Sequence, residues 1–75
     1  MPKLPVLSGR DVIKALTKSG WEQRRTCGSH SILIKFIDNQ KIAVVVPLHK
    51  EIDKGTFLEI IRQSRLKREE FIKLL

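Results

Sequence analysis

Apolar residues in this chain recur first at helical spacing, then in strand-like runs, then at helical spacing again. Val12, Ile13 and Leu16 share one face of a predicted helix; Ser8 caps it, with Asp11 three residues on as a variant of the capping box, and Gly20 supplies the stop. The other face carries Arg10, Lys14 and Lys18. Ahead of it, Met1 to Leu7 holds two of the three prolines and reads as an extended lead-in. A polar strand is predicted from Trp21 to Arg25; Cys27-Gly28-Ser29 then turns the chain into an apolar strand from His30 to Ile37. Asp38-Asn39-Gln40 is turn chemistry. The third strand, Lys41 to Val46, is β-branched over Val44, Val45 and Val46, and Pro47 ends its capacity to donate to a ladder.

A polar connection from Leu48 to Asp53 leads into Phe57, Leu58, Ile60 and Ile61, a helical pattern with Asp53 as cap and Thr56 at the third position. Arg65-Leu66-Lys67 breaks this helix. A last short helix, Arg68 to Leu75, opens on Glu69 and Glu70 near its positive end and offers Phe71, Ile72, Leu74 and Leu75 as apolar anchors. The order α-β-β-β-α-α predicts an α+β fold, a three-stranded antiparallel sheet with the helices on one face, because each element has one apolar side to cover. No repeat, linker or low-complexity stretch divides residues 1–75, which form one domain; a chain this short buries only about 60 to 65% of its unfolded surface.

Charge narrows the function classes. Fifteen Lys and Arg against eight Asp and Glu leave +7, a field that favours polyanions: nucleic acid, an acidic protein, or both. The single cysteine, Cys27, has no partner for an intramolecular disulfide, and nothing resembles a signal h-region or a membrane span, so the expected address is the cytoplasm, with no membrane partner. Two histidines and one cysteine do not make a zinc site, so no metal and no small-molecule cofactor are expected. Cys27 reads as a small filler residue.

The chemistry centres on His30, one imidazole where a loop meets a strand. Cutting RNA without a metal requires taking a proton from a 2′-hydroxyl and returning one to the leaving 5′-oxygen, work suited to an imidazole. Gly28 lets the backbone turn tightly toward a phosphate, and Ser29 adds a hydroxyl and an N–H for a nonbridging oxygen, although it also reads as a simple turn cap. Antiparallel pairing about the Asp38 turn sets His30 opposite roughly residues 47 to 49, which makes His49 a secondary catalytic candidate, against its reading as a loop histidine. Arg25 is the first choice for positioning phosphate. Further RNA-binding candidates are Arg24, whose side chain alternates with that of Arg25, Lys35 on the parity opposite His30, and Lys14 with Lys18 at i and i+4, able to line a phosphate path. Trp21 reads mainly as a core residue, with base stacking as the alternative.

Several of these residues, in order, resemble a known family. Leu7-Ser8-Gly9, Gly20-Trp21, Arg25 ahead of Gly28-Ser29-His30, Val46-Pro47-Leu48-His49, and Gly55-Thr56-Phe57 with Ile60, Ile61 and Gln63 are similar to the HicA-type toxins, and the likeness spans nearly the whole chain. The resemblance implies a fold like the double-stranded-RNA-binding domain and the toxin of a type II toxin-antitoxin system. It further implies a metal-independent endoribonuclease that cleaves messenger RNA, a single-stranded substrate, through His30, and a HicB-type antitoxin that binds the toxin and covers its site. The alternative is a non-catalytic RNA-binding module of the same fold. Cys27, Ser31 and Ser64 depart from the family's common residues at those positions.

Overall fold

Six elements follow one another in the computed structural model, which describes residues 6–75: α1 (Gly9–Lys18), β1 (Glu22–Cys27), β2 (His30–Ile37), β3 (Gln40–Pro47), α2 (Lys54–Ser64) and α3 (Arg68–Lys73). Most of the extended lead-in expected over Met1 to Leu7 lies outside the described residues. The strands form one antiparallel sheet in the order β1-β2-β3. Element order and sheet are those of the expected α+β fold, like the double-stranded-RNA-binding domain.

Capping fixes where the helices begin. The Ser8 hydroxyl accepts from the Asp11 N–H at 3.2 Å while the Ser8 N–H donates to the Asp11 carboxylate at 3.1 Å, closing the capping box in front of α1. At α2, the Asp53 carboxylate accepts from the Thr56 hydroxyl at 2.6 Å and its N–H at 3.1 Å. Both carboxyls are held below the ordinary aspartate range, Asp11 by the Ser8 backbone N–H first and Asp53 by the Thr56 hydroxyl first. The far end of α2 closes on Arg65 in the left-handed region, φ 61°.

Both hairpins turn in two residues. At Gly28-Ser29 only Gly28 has positive φ (60°), as a type II′ turn requires, whereas Asp38 (51°) and Asn39 (66°) are both positive, the signature of type I′. The strands therefore reach further than their composition predicts. Gln40 belongs to β3 rather than to the turn, Cys27 is the last residue of β1, and Pro47 completes β3 opposite His30. Trp21 precedes β1 and is only 2% exposed, so it seals the core and is no platform for a base.

Leu33, Val44 and Val46 of the sheet bury against Val12, Ala15 and Leu16 of α1 and Phe57, Ile60 and Ile61 of α2. α3 completes this core with Phe71, which is fully buried and meets the Phe57 ring edge-on at 5.2 Å and 71°. α1 approaches the end of β3 so closely that a methyl group on Gly9 would strike the Pro47 carbonyl oxygen and sit 3.0 Å from Leu48 Cα. The Gly9 N–H donates to the His49 carbonyl at 2.9 Å across the same contact. Only glycine fits there, which ties the start of α1 to the end of the sheet that carries the histidines.

Candidate functional site

His30 opens β2, between Cys27 of β1 and Pro47 of β3 in the register expected of it. Its side chain is exposed, on the sheet face that also carries Ile32, Ile34 and Phe36. Ser31 and Leu33, on the alternate parity, are fully buried under the helices, so His30 lies on the face that the helices leave open. The Ser29 hydroxyl stands 3.4 Å from His30 Nδ1, a long contact whose direction depends on the imidazole tautomer. Gly28 has open space where a side chain would project, leaving the turn backbone accessible. Cys27 is exposed, a correction to its reading as a filler residue.

His49 follows β3 at this same end of the sheet. The Leu48 N–H donates to the Ser29 carbonyl at 2.6 Å and the His49 carbonyl accepts from Gly9, so backbone bonds secure the segment beside the Gly28-Ser29 turn. The imidazole of His49 is exposed.

Of the cations, Arg25 shares the His30 face. It pairs with Ile32, which places it diagonally across from His30 at about 7 to 8 Å between backbones, within reach of a guanidinium. A bulge between Gln23 and Arg25 puts Glu22, Arg25 and Cys27 on the open face and Gln23 and Thr26 on the helix side. Arg24, the extra residue, pairs its guanidinium with Glu22 at 3.3 Å.

The other cations are elsewhere. Lys35 faces the helices about 16 Å along β2 from His30, and its ammonium donates to the Ser19 carbonyl at 2.8 Å, closing the C-terminal end of α1. Lys14 and Lys18 join Arg10 along a groove of ≈ 520 Å³ between α1 and β1, with Ile13, Thr17, Gln23 and Leu48 completing its lining. Gln23 donates to the buried Ser31 hydroxyl at 2.8 Å, which marks this as the helix side of the sheet. The sheet thus stands between the groove of Lys14 and Lys18 and the His30 side chain.

Gln23 and Leu48 were not expected at a site. Gln23 reaches the groove only because the bulge resets the strand's alternation, which no residue type in Glu22–Cys27 signals; Leu48 reads as part of a polar connection. Among the described residues, no three His, Cys, Asp or Glu side chains gather as a metal cluster would, and no helix is long and apolar enough to cross a membrane.

The family model for the HicA toxin of bacterial toxin-antitoxin systems matches residues 9–66, from the first residue of α1 to the break after α2. No curated protein matches the chain.

Proposed function

The chain belongs to the HicA toxin family of bacterial toxin-antitoxin systems, and we propose that it is a metal-independent endoribonuclease in which His30 is the catalytic acid-base group. The substrate is single-stranded messenger RNA, and a HicB-type antitoxin holds the toxin inactive until released. The observation that carries this reading is the exposure of His30 on the open sheet face, beside a two-residue turn and diagonal to Arg25.

In this reaction neutral His30 takes the proton of a ribose 2′-hydroxyl. The 2′-oxygen attacks the adjacent phosphorus, the bond from phosphorus to the 5′-oxygen breaks, and the leaving oxygen takes a proton from an imidazolium. The products are a 2′,3′-cyclic phosphate, which water can open to a 3′-phosphate, and a 5′-hydroxyl. Arg25 pairs with a nonbridging oxygen, and the Gly28-Ser29 turn offers a backbone N–H and the Ser29 hydroxyl as negative charge develops. His49, secured at the same end of the sheet, is the secondary candidate for the second proton transfer.

The test is cleavage of messenger RNA in EDTA by wild type, His30→Ala and His49→Ala, alongside growth on induced expression. Wild type cuts and arrests growth, and His30→Ala loses both by at least about a hundredfold. Equal behaviour of wild type and His30→Ala, with RNA bound but uncut, would identify a non-catalytic RNA-binding module. An unchanged rate in His49→Ala removes His49 from the chemistry.

A further inference from the structure

Arg10, Lys14 and Lys18 stand at i, i+4 and i+8 on α1, spaced about 6 Å apart along the helix axis. None of the three makes an ion pair among the described residues. The Lys18 ammonium donates to the Leu74 carbonyl at 3.2 Å. The row of charge borders a groove of ≈ 520 Å³, a volume within the range of ordinary binding clefts. Its apolar lining is aliphatic, Ile13 and the 37%-exposed Leu48, and its β1 side is the uncharged amide of Gln23.

From this geometry we infer that the α1–β1 groove docks an acidic, amphipathic helix of a partner protein. The partner's aliphatic side chains enter the groove over Ile13 and Leu48, and its carboxylates, themselves repeating at i and i+4, meet the cation row. Charge complementarity selects this occupant over a second copy of the chain, because two molecules of +7 repel. The lining selects it over a single strand of RNA: among the described residues no aromatic ring borders the groove to stack a base, and Ile13 and Leu48 offer aliphatic surface instead. The cation row also lies across the sheet from His30 and Arg25, where the scissile phosphate would bind. Capture of the partner and access to His30 therefore use opposite faces of one sheet. The assignment does not depend on the cleavage chemistry.

The experiment measures binding of two fluorescent probes, a Leu/Glu amphipathic peptide of about 18 residues, long enough to form a helix, and an oligouridylate. The proteins are wild type, Lys14→Glu/Lys18→Glu, and Lys54→Glu/Lys67→Glu as a control carrying the same change in net charge on exposed positions away from the groove. Far-ultraviolet circular dichroism verifies folding. The peptide is expected to bind wild type and to lose at least about tenfold in affinity in the groove variant but less than about threefold in the control, with oligouridylate affected alike in both. Absent peptide binding, equal peptide loss in both variants, or oligouridylate loss confined to the groove variant would overturn the inference, the last by making the groove an RNA track.

Discussion

Two neighbouring arginines on β1 have different fates, and the difference is one of local geometry. Arg24 spends its charge on Glu22 at the bulge, whereas Arg25 stands diagonal to His30 with no ion pair among the described residues. A charged hydrogen bond to phosphate is worth about 1.5 to 3 kcal/mol. Arg25→Ala is accordingly expected to lower kcat/KM for RNA cleavage by about ten- to a hundredfold, while Arg24→Ala stays within about threefold of wild type. Steady-state kinetics on the two variants check this, and equal losses would contradict the placement of Arg25. The departures from the family's common residues fit the same geometry. Ser31 is buried on the helix side, accepting from Gln23, and so does not touch the face that carries His30. Ser64 is buried too, its hydroxyl donating to the Ile61 carbonyl at 2.7 Å. The left-handed closure that glycine would favour falls instead on Arg65.

At the scale of elements, α1 positions the site through its first residue. Gly9→Ala overpacks the contact with Pro47 and Leu48. A destabilisation of about 1 to 3 kcal/mol is expected, read as a lowered thermal midpoint, because the obstacle is backbone rather than a mobile side chain. The cap of α2 gives a pH dependence. Because the Thr56 hydroxyl, and then its N–H, hold the folded Asp53 carboxyl below the ordinary aspartate range, its stabilisation is complete above that range and is lost as pH falls through the folded pKa. The midpoint difference between wild type and Asp53→Ala should therefore be widest near neutrality and narrow below pH 3.8; a gap constant from pH 6 to pH 2.5, to take a range of about that width, would show that the carboxylate charge contributes nothing. The helices and β2 were legible in the sequence because caps and apolar spacing agree there. The strand ends were not. Asp38-Asn39 forms a type I′ turn without glycine, which freed Gln40 for the strand, and β1 extends to Cys27 because a single glycine suffices to open the II′ turn.

Across the whole molecule, the core extends beyond the part that defines the family. The family match ends at residue 66, yet Phe71 of α3 is the largest fully buried side chain among the described residues. Phe71→Ala should cost about 3 to 5 kcal/mol in chemical denaturation, a large share of what a domain this small can hold; a loss under about 1 kcal/mol would mean that α3 is dispensable. The site itself was half legible. That His30 lies opposite the end of β3 follows from register about the Asp38 turn, but which of Arg24 and Arg25 shares its face depends on the two-residue turn at Gly28-Ser29, and which cations the sheet would separate from it depends on the layering of α1 and on a bulge. Under the two proposals, that layering gives the molecule two working faces, an open one on which His30 would act on RNA and a helix-covered one whose basic groove would meet an acidic partner. The most direct test of the chemistry is analysis of the ends left on messenger RNA after incubation in EDTA. Wild type should leave a 5′-hydroxyl and a cyclic or 3′-phosphate, with no cut by His30→Ala; 5′-phosphate ends, or the same cuts from His30→Ala, would contradict a histidine-driven transesterification.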